Sequence, residues 1–164
     1  MSGTRDIGII LLRELEGFER EVAMFPDDES LWETMSGVTN SAGNLAMHVS
    51  GNLQHFIGTV LGSTGYRRDR DREFSRRSGT RTDVVSELRA AARVVQDVLP
   101  ELTEDRLSAD FPEAVMGMKF RTSTFLVHLC AHAGFHLGQA GYLRRVVTGN
   151  STSSGPLPLR PLGH

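Results

Sequence analysis

Apolar residues recur at three- and four-residue intervals in four separate stretches of this 164-residue chain, and no stretch alternates apolar with polar. That spacing puts apolar side chains on one face of an α-helix, whereas a half-buried strand needs a period of two. The first stretch runs from about Thr4 to Met24 with Ile7, Ile10, Leu11, Leu15, Phe18 and Val22 in register, and Pro26 and Asp27-Asp28 stop it. A short piece from Ser30 to Met35 carries the only tryptophan, Trp32. The second helix begins near Asn40-Ser41, either of which can cap it by accepting a free backbone N–H. It continues through Leu45, His48, Val49, Leu53 and Phe56 to Val60, and Gly62 to Gly65 ends it. After a polar loop, the third helix starts near Thr80 or Thr82 and runs to Leu99, where Pro100 terminates it. Residues 103 to 107 fit one further turn, and 111 to 119 a loop or short extended piece. The fourth helix spans about Thr122 to Val147 with Gly149-Asn150 as its stop signal.

Four amphipathic helices without strands predict an all-α fold, a four-helix bundle. The segments between the second and third helices and between the third and fourth are long enough for crossover connections. The bundle is expected over residues 1–150, and 151–164, rich in Ser, Gly and Pro, reads as a flexible C-terminal tail. A domain of this length needs neither disulfide nor metal merely to stay folded. The single cysteine, Cys130, excludes a disulfide framework or a Cys-based zinc finger. A net charge of −2 excludes a uniformly basic nucleic-acid binder. The early apolar run Ile7 to Leu12 is short for a signal-peptide core, and no run is long enough for a membrane span, so a cytoplasmic location is expected.

Three of the six histidines fall within nine residues of the fourth helix: His128, His132 and His136, at i, i+4 and i+8. Side chains four apart share a helix face, so two imidazoles at that spacing can converge on one ion. One such pair is expected about 0.2 times by chance in a chain of this composition, so the register of three carries the signal, not any single pair. The flanking residues (Phe125, Leu126, Val127, Leu129, Ala131, Ala133, Phe135, Leu137) predict a helix that lies largely in the core. Buried polar groups there need partners, at a cost of about 1–3 kcal/mol for each left unsatisfied. A shared metal ion or hydrogen bonds to neighbours would both supply them. His48, flanked by apolar residues on the second helix, is the best inward-facing partner from elsewhere in the chain. His55 lies nearly on the same face but about 10.5 Å further along the axis, too far to share an ion with His48, and is expected at most to support the site or meet substrate.

These residues resemble the DinB-like superfamily. The resemblance rests on His132-x-x-x-His136-x-x-Gln139 late in the fourth helix. It rests also on Ser30-Leu-Trp32, Asn40-Ser41 and Asn44-Leu45-x-x-His48-x-x-Gly51-Asn52-Leu53, and on Arg70-Asp-Arg72-Glu73-Phe74 with a shifted acid. It covers about residues 5 to 148. It implies a four-helix bundle of the DinB-like type that holds a divalent metal on His48, His132 and His136. His128 then reads as structural or supporting, and Gln139 as a residue that orients a ligand or a bound water. Three imidazoles leave a coordination position open, as in catalytic sites. Zinc, nickel, iron and manganese all suit imidazole. Position 133 is Ala, so the general base of a His-Glu-x-x-His protease is absent and peptide hydrolysis is not expected.

Characterised relatives in that superfamily include transferases that attach low-molecular-weight thiols to electrophiles. The resemblance therefore implies a metal-dependent enzyme acting on a small molecule such as a thiol. A metal-binding or stress-related protein without turnover is the second class the residues leave open. Cys130 is about 200° round the helix from His132 and is expected to be a core residue rather than a nucleophile. Residues 67 to 81 hold seven arginines against Asp69, Asp71 and Glu73, a local charge of +4. The alternating signs and the lack of a stacking platform favour a solvated, ion-paired loop over nucleic-acid binding. The matching family segment implies that this loop packs over the bundle end. Trp32 is expected to cap the core, and Met116 and Met118 to fill a loop or pocket. Asn52 is expected either to bond a backbone carbonyl or to touch a ligand near His48. Apolar Leu137, Tyr142, Leu143 and Val146 on more than one face of the fourth helix leave room for a homodimer.

Overall fold

The computed structural model describes residues 3–159. It is helical, with α1 (Gly3–Ala23), α2 (Ala42–Leu53), α3 (Arg70–Ser75), α4 (Arg81–Val98), α5 (Glu104–Ser108) and α6 (Thr122–Thr148). No strand forms among the described residues, and two isolated bridges, Asp110 to Arg121 and Val115 to Met118, fold residues 110–121 into a small hairpin.

Local chemistry sets the helix starts. Ser41 accepts from the Asn44 backbone N–H, and the Asn44 side chain accepts back from the Ser41 N–H, a reciprocal cap on α2. Thr80 and Asp83 do the same for α4. Gly149, in the left-handed region at φ 64°, closes α6. The second helical run does not stay α-helical to its end. From Gln54 to Leu61 it widens into a π-helix before Gly62. Periodicity does not separate that turn from an α-helix.

The four long helices share one core. Leu11, Leu15 and Phe18 of α1 meet Leu45, Val49 and Leu53 of α2, Leu88 and Val95 of α4, and Leu126 and Leu129 of α6. Helix α1 packs on α4 and α6, and α2 packs on the same two. The consecutive long helices α1 and α2 are therefore diagonal to one another, while α2 and α4 are neighbours. The chain therefore crosses the core diagonally from α1 to α2 and from α4 to α6, while the long segment between α2 and α4, which also leaves room for a crossover, joins neighbours. The short helical turn Ser30–Trp32 lies on the α1–α2 crossing, with Trp32 buried and its indole N–H donating to the Gly79 carbonyl at 2.7 Å.

Helix α6 is less buried than its apolar sequence predicts. Leu126, Leu129, Ala133, Leu137, Ala140 and Leu143 face the core. Val127, Phe135, Tyr142 and Val146 are exposed on the far side, because α1 and α2 cover only part of its circumference. Of the four residues that left room for a homodimer, Leu137 and Leu143 belong to the chain's own core, and only Tyr142 and Val146 reach the surface.

After α6 the chain is largely exposed over 151–159, with Thr152, Ser154, Pro156 and Leu157 touching α1 or α6. Arg144 is fully buried, ion-paired to Glu21, and donates to the Thr152 carbonyl at 2.7 Å. Ser154 Oγ donates to Glu21 Oε1 at 2.5 Å, and a side chain added at Gly17 would meet Leu157. A buried guanidinium needs acceptors, and the Glu21 carboxylate with the carbonyls of Asn150 and Thr152 supplies them. Residues 160–164 of the expected tail lie outside the described residues. No described helix is long and apolar enough to cross a membrane.

Candidate metal centre

His48 projects from the second turn of α2, and His132 and His136 from the middle of α6, a helix that α2 packs against. The packing brings their Nε2 atoms together. His48 Nε2 lies 3.1 Å from His132 Nε2, and His136 Nε2 lies 3.2 Å from the same atom. One nitrogen from each ring falls within 4.8 Å of the others. Two imidazole nitrogens bound tetrahedrally to zinc at 2.0–2.1 Å sit about 3.3 Å apart, so both short edges are close to the spacing of a shared ion.

The outer ring nitrogens explain which atoms face inward. His48 Nδ1 is 2.9 Å from Glu73 Oε2. Arg68 Nη2, which only donates, is also 3.1 Å from that nitrogen, but the carboxylate is nearer and only accepts, which favours the proton of neutral His48 on Nδ1 and a lone pair on Nε2. His136 Nδ1 is 2.8 Å from Gln139 Oε1, with the same consequence. His132 Nε2 then faces two acceptors. A single N–H there could satisfy one of them, never both. Protonating the cluster is not a remedy. Burial, and then the neighbouring His136 and His48, push the His132 pKa down to about 3. Burial also lowers that of His136, partly opposed by Gln139. A cation is the group that satisfies three convergent lone pairs at once, and the donor set fits one.

The Glu73 carboxylate that orients His48 comes from the arginine-rich segment. Residues 70–75 of that segment form α3, capped by Asp69, which accepts from the Arg72 N–H. The buried Asn44 side chain donates to the carbonyls of Glu73 and Arg76, both at 2.9 Å, and so fastens α3 to the start of α2. Glu73 is buried, and Arg68 grips both its oxygens at 2.7 Å. Burial raises the Glu73 pKa, but the hydrogen bonds and charge of Arg68 and His48 outweigh it and hold the carboxyl below its ordinary value. Gly51 makes the room. A Cβ there would collide with Glu73 Oε1. Sequence reasoning placed Glu73 in a family segment and assigned it no role; its shifted position in that segment was the available signal.

The other expected residues divide. Gln139 is at the site through His136. His128 is exposed, its ring 5.8 Å from Phe125 and 5.9 Å from His132, beside the cluster rather than in it. His55 pairs with Glu113 at 3.2 Å and meets Phe56 edge to face, away from the three histidines. Asn52 is buried one turn beyond His48 with its Oδ1 unpartnered, and it makes no hydrogen bond to the histidines. Met116 and Met118 are exposed at the turn of the 110–121 hairpin. Cys130 faces α1, with Sγ 3.8 Å from the Ile7 carbonyl, and burial raises its thiol pKa to about 11.

The triad opens into a cleft of about 800 Å³ whose walls include Asn40, Arg70, Asp71, Phe74 and Arg77. Asn40 also borders an apolar cavity of about 440 Å³ formed by Met35, Val38, Leu45, Tyr142 and Leu143 and reaching Gln139.

Among solved structures, the chain is similar to the crystal structure of the conserved protein of locus from Enterococcus faecalis. The TM-score is 0.73 at 19% identity, covering 91% of this chain and 99% of that one, a likeness of fold alone. No functionally curated protein matches the sequence. A family model described as a protein of unknown function, DUF1572, matches residues 11–158, and the chain belongs to that family.

Proposed function

We propose that this chain is a divalent-metal-dependent enzyme of the DinB-like type, its four long helices forming the four-helix bundle of that superfamily. His48, His132 and His136 hold the ion, and the reaction is transfer of a low-molecular-weight thiol, or a related Lewis-acid reaction on a small molecule. The observation that carries this reading is the convergence of three Nε2 atoms, with the outer nitrogens of His48 and His136 facing Glu73 and Gln139. Zinc, nickel, iron or manganese suits such a donor set.

Three protein ligands would leave a coordination position open for substrate. A divalent ion held there supplies Lewis acidity, lowering the pKa of a thiol presented to it. The chain's own residues position that chemistry. Glu73 and Gln139 fix the two ring tautomers, and the apolar cavity beside Asn40 offers a place for the body of an electrophile. No side-chain thiol competes as nucleophile, since Cys130 points to α1 with its pKa raised.

Metal-loaded protein should conjugate small thiols to monobromobimane or a chlorodinitrobenzene faster than His132→Ala does. Equal rates would contradict thiol transfer to those electrophiles. A metal-binding protein without turnover is the second reading, favoured by metal uptake with no such rate difference.

A further inference from the structure

The seven arginines of residues 67–81 fall into three sets by partner and position. Arg68 is paired to Glu73, Arg76 to Asp83 and Arg81 to Asp28. Arg67 and Arg72 border a separate, smaller cavity that also contains Asp69 and Glu87. Like those two, Arg70 and Arg77 have no carboxylate within ion-pair distance among the described residues, but they alone of the seven line the cleft over the three histidines. Arg70 is exposed, and its guanidinium stands 5.0 Å from the centre of the Phe74 ring with no hydrogen bond to the protein. Arg77 uses Nη1 alone, toward the carbonyls of Phe74 and Arg76 and, at 3.5 Å, Asn44 Oδ1. Its Nε and Nη2 are left for another acceptor. The one acid on the cleft wall is Asp71.

We propose that Arg70 and Arg77 form an anion subsite beside the metal centre, and that the small molecule taken there carries a carboxylate or similar oxyanion. This rests on the metal-centre reading above. Guanidinium groups present planar N–H forks that match an oxyanion with charge-assisted hydrogen bonds. Helix α3 carries Arg70 on its first turn, and Arg77 follows its end, so the two approach the cleft from opposite ends of one short element. Phe74, between them in sequence, lies 4.6 Å ring to ring from His48 and supplies an apolar floor between anion site and histidines. The ligand therefore bridges two sites, with a donor atom at the ion and its anionic end at the arginines. Asp71 opposes this attraction and excludes a simple sink for any anion.

The test uses cobalt-loaded protein and three thiols that differ at the far end: 3-mercaptopropionate, 2-mercaptoethanol and cysteamine. Binding is read from the change in the cobalt absorption spectrum. Wild type should bind 3-mercaptopropionate about tenfold more tightly than 2-mercaptoethanol, and cysteamine most weakly, as one charge-assisted contact provides. Arg70→Ala, which removes no hydrogen bond within the protein, should cut that preference severalfold with cobalt uptake unchanged. Arg70→Ala combined with Arg77→Ala should abolish it, and Asp71→Asn should enlarge it. Equal affinity for the charged and neutral thiols in wild type, or an unchanged preference in Arg70→Ala, would overturn the subsite alone. Failure of wild type to take up cobalt would overturn the metal reading and the subsite with it.

Discussion

Glu73 Oε2 lies 2.9 Å from His48 Nδ1, and this contact joins the arginine-rich segment to the histidine cluster. The carboxylate holds the proton of His48 on its outer nitrogen and so turns the inner one into a ligand. Residues that orient metal-binding histidines typically contribute 10–100-fold in affinity, so Glu73→Gln should weaken cobalt or zinc binding by about that factor. The amide can still accept from His48, but it turns an N–H toward Arg68. Gly51→Ala should produce a similar loss by displacing the same carboxylate. Competition against a chromophoric chelator measures both. Unchanged affinity in Glu73→Gln would show that His48 does not depend on it.

Acidification should destabilise the metal-free protein. His132 titrates at about 3 in the fold against 6.5 for the free side chain. Below pH 6.5 the unfolded chain therefore takes up a proton that the folded ring refuses, and stability falls as pH drops through that window. The melting temperature of chelator-treated wild type should decline between pH 7 and 4.5 more steeply than that of His132→Ala. Parallel curves would contradict the depressed basicity of His132. Bound metal should also be released in acid, because a protonated imidazole is not a ligand.

The Glu21–Arg144 ion pair is a stability element remote from the cleft. Arg144 is fully buried, and its remaining donors reach the carbonyls of Asn150 and Thr152. Arg144→Ala leaves Glu21 as a buried charge beside empty space, so it should cost about 3–5 kcal/mol in denaturant unfolding. Cleavage after Thr148 should become faster in the same variant as residues 150–154 lose their anchor. A cost below about 1 kcal/mol would place the pair among solvated surface bridges.

Much of this architecture is written in local sequence. The 3.6-residue pattern marks α1, α2, α4 and α6, Ser41 and Thr80 mark two starts, and Gly149 marks one end. His48, His132 and His136 were named from spacing and family resemblance, and the fold brings their nitrogens together. What was not legible depends on long-range packing. The α1–α2 diagonal is a choice among helix arrangements that apolar faces alone do not decide. The π-turn at Gln54–Leu61 has the composition of an ordinary helix. Helix α3 is too short and too charged to show a period, and it forms where Asn44 supplies donors for its carbonyls. Glu73 was hidden for the same reason, since its partners Arg68 and His48 meet only once α3 docks. The apolar sequence of α6 suggested a helix lying largely in the core, whereas the fold leaves Val127 and Phe135 uncovered and sets His128 at the surface.

Titration of chelator-stripped protein with cobalt or zinc, with His132→Ala and His128→Ala alongside, tests the central claim most directly. Wild type and His128→Ala should each take up one ion per chain, and His132→Ala should lose that uptake, because His132 Nε2 is the atom both other rings face. No uptake by wild type, or equal uptake by His132→Ala, would contradict the account.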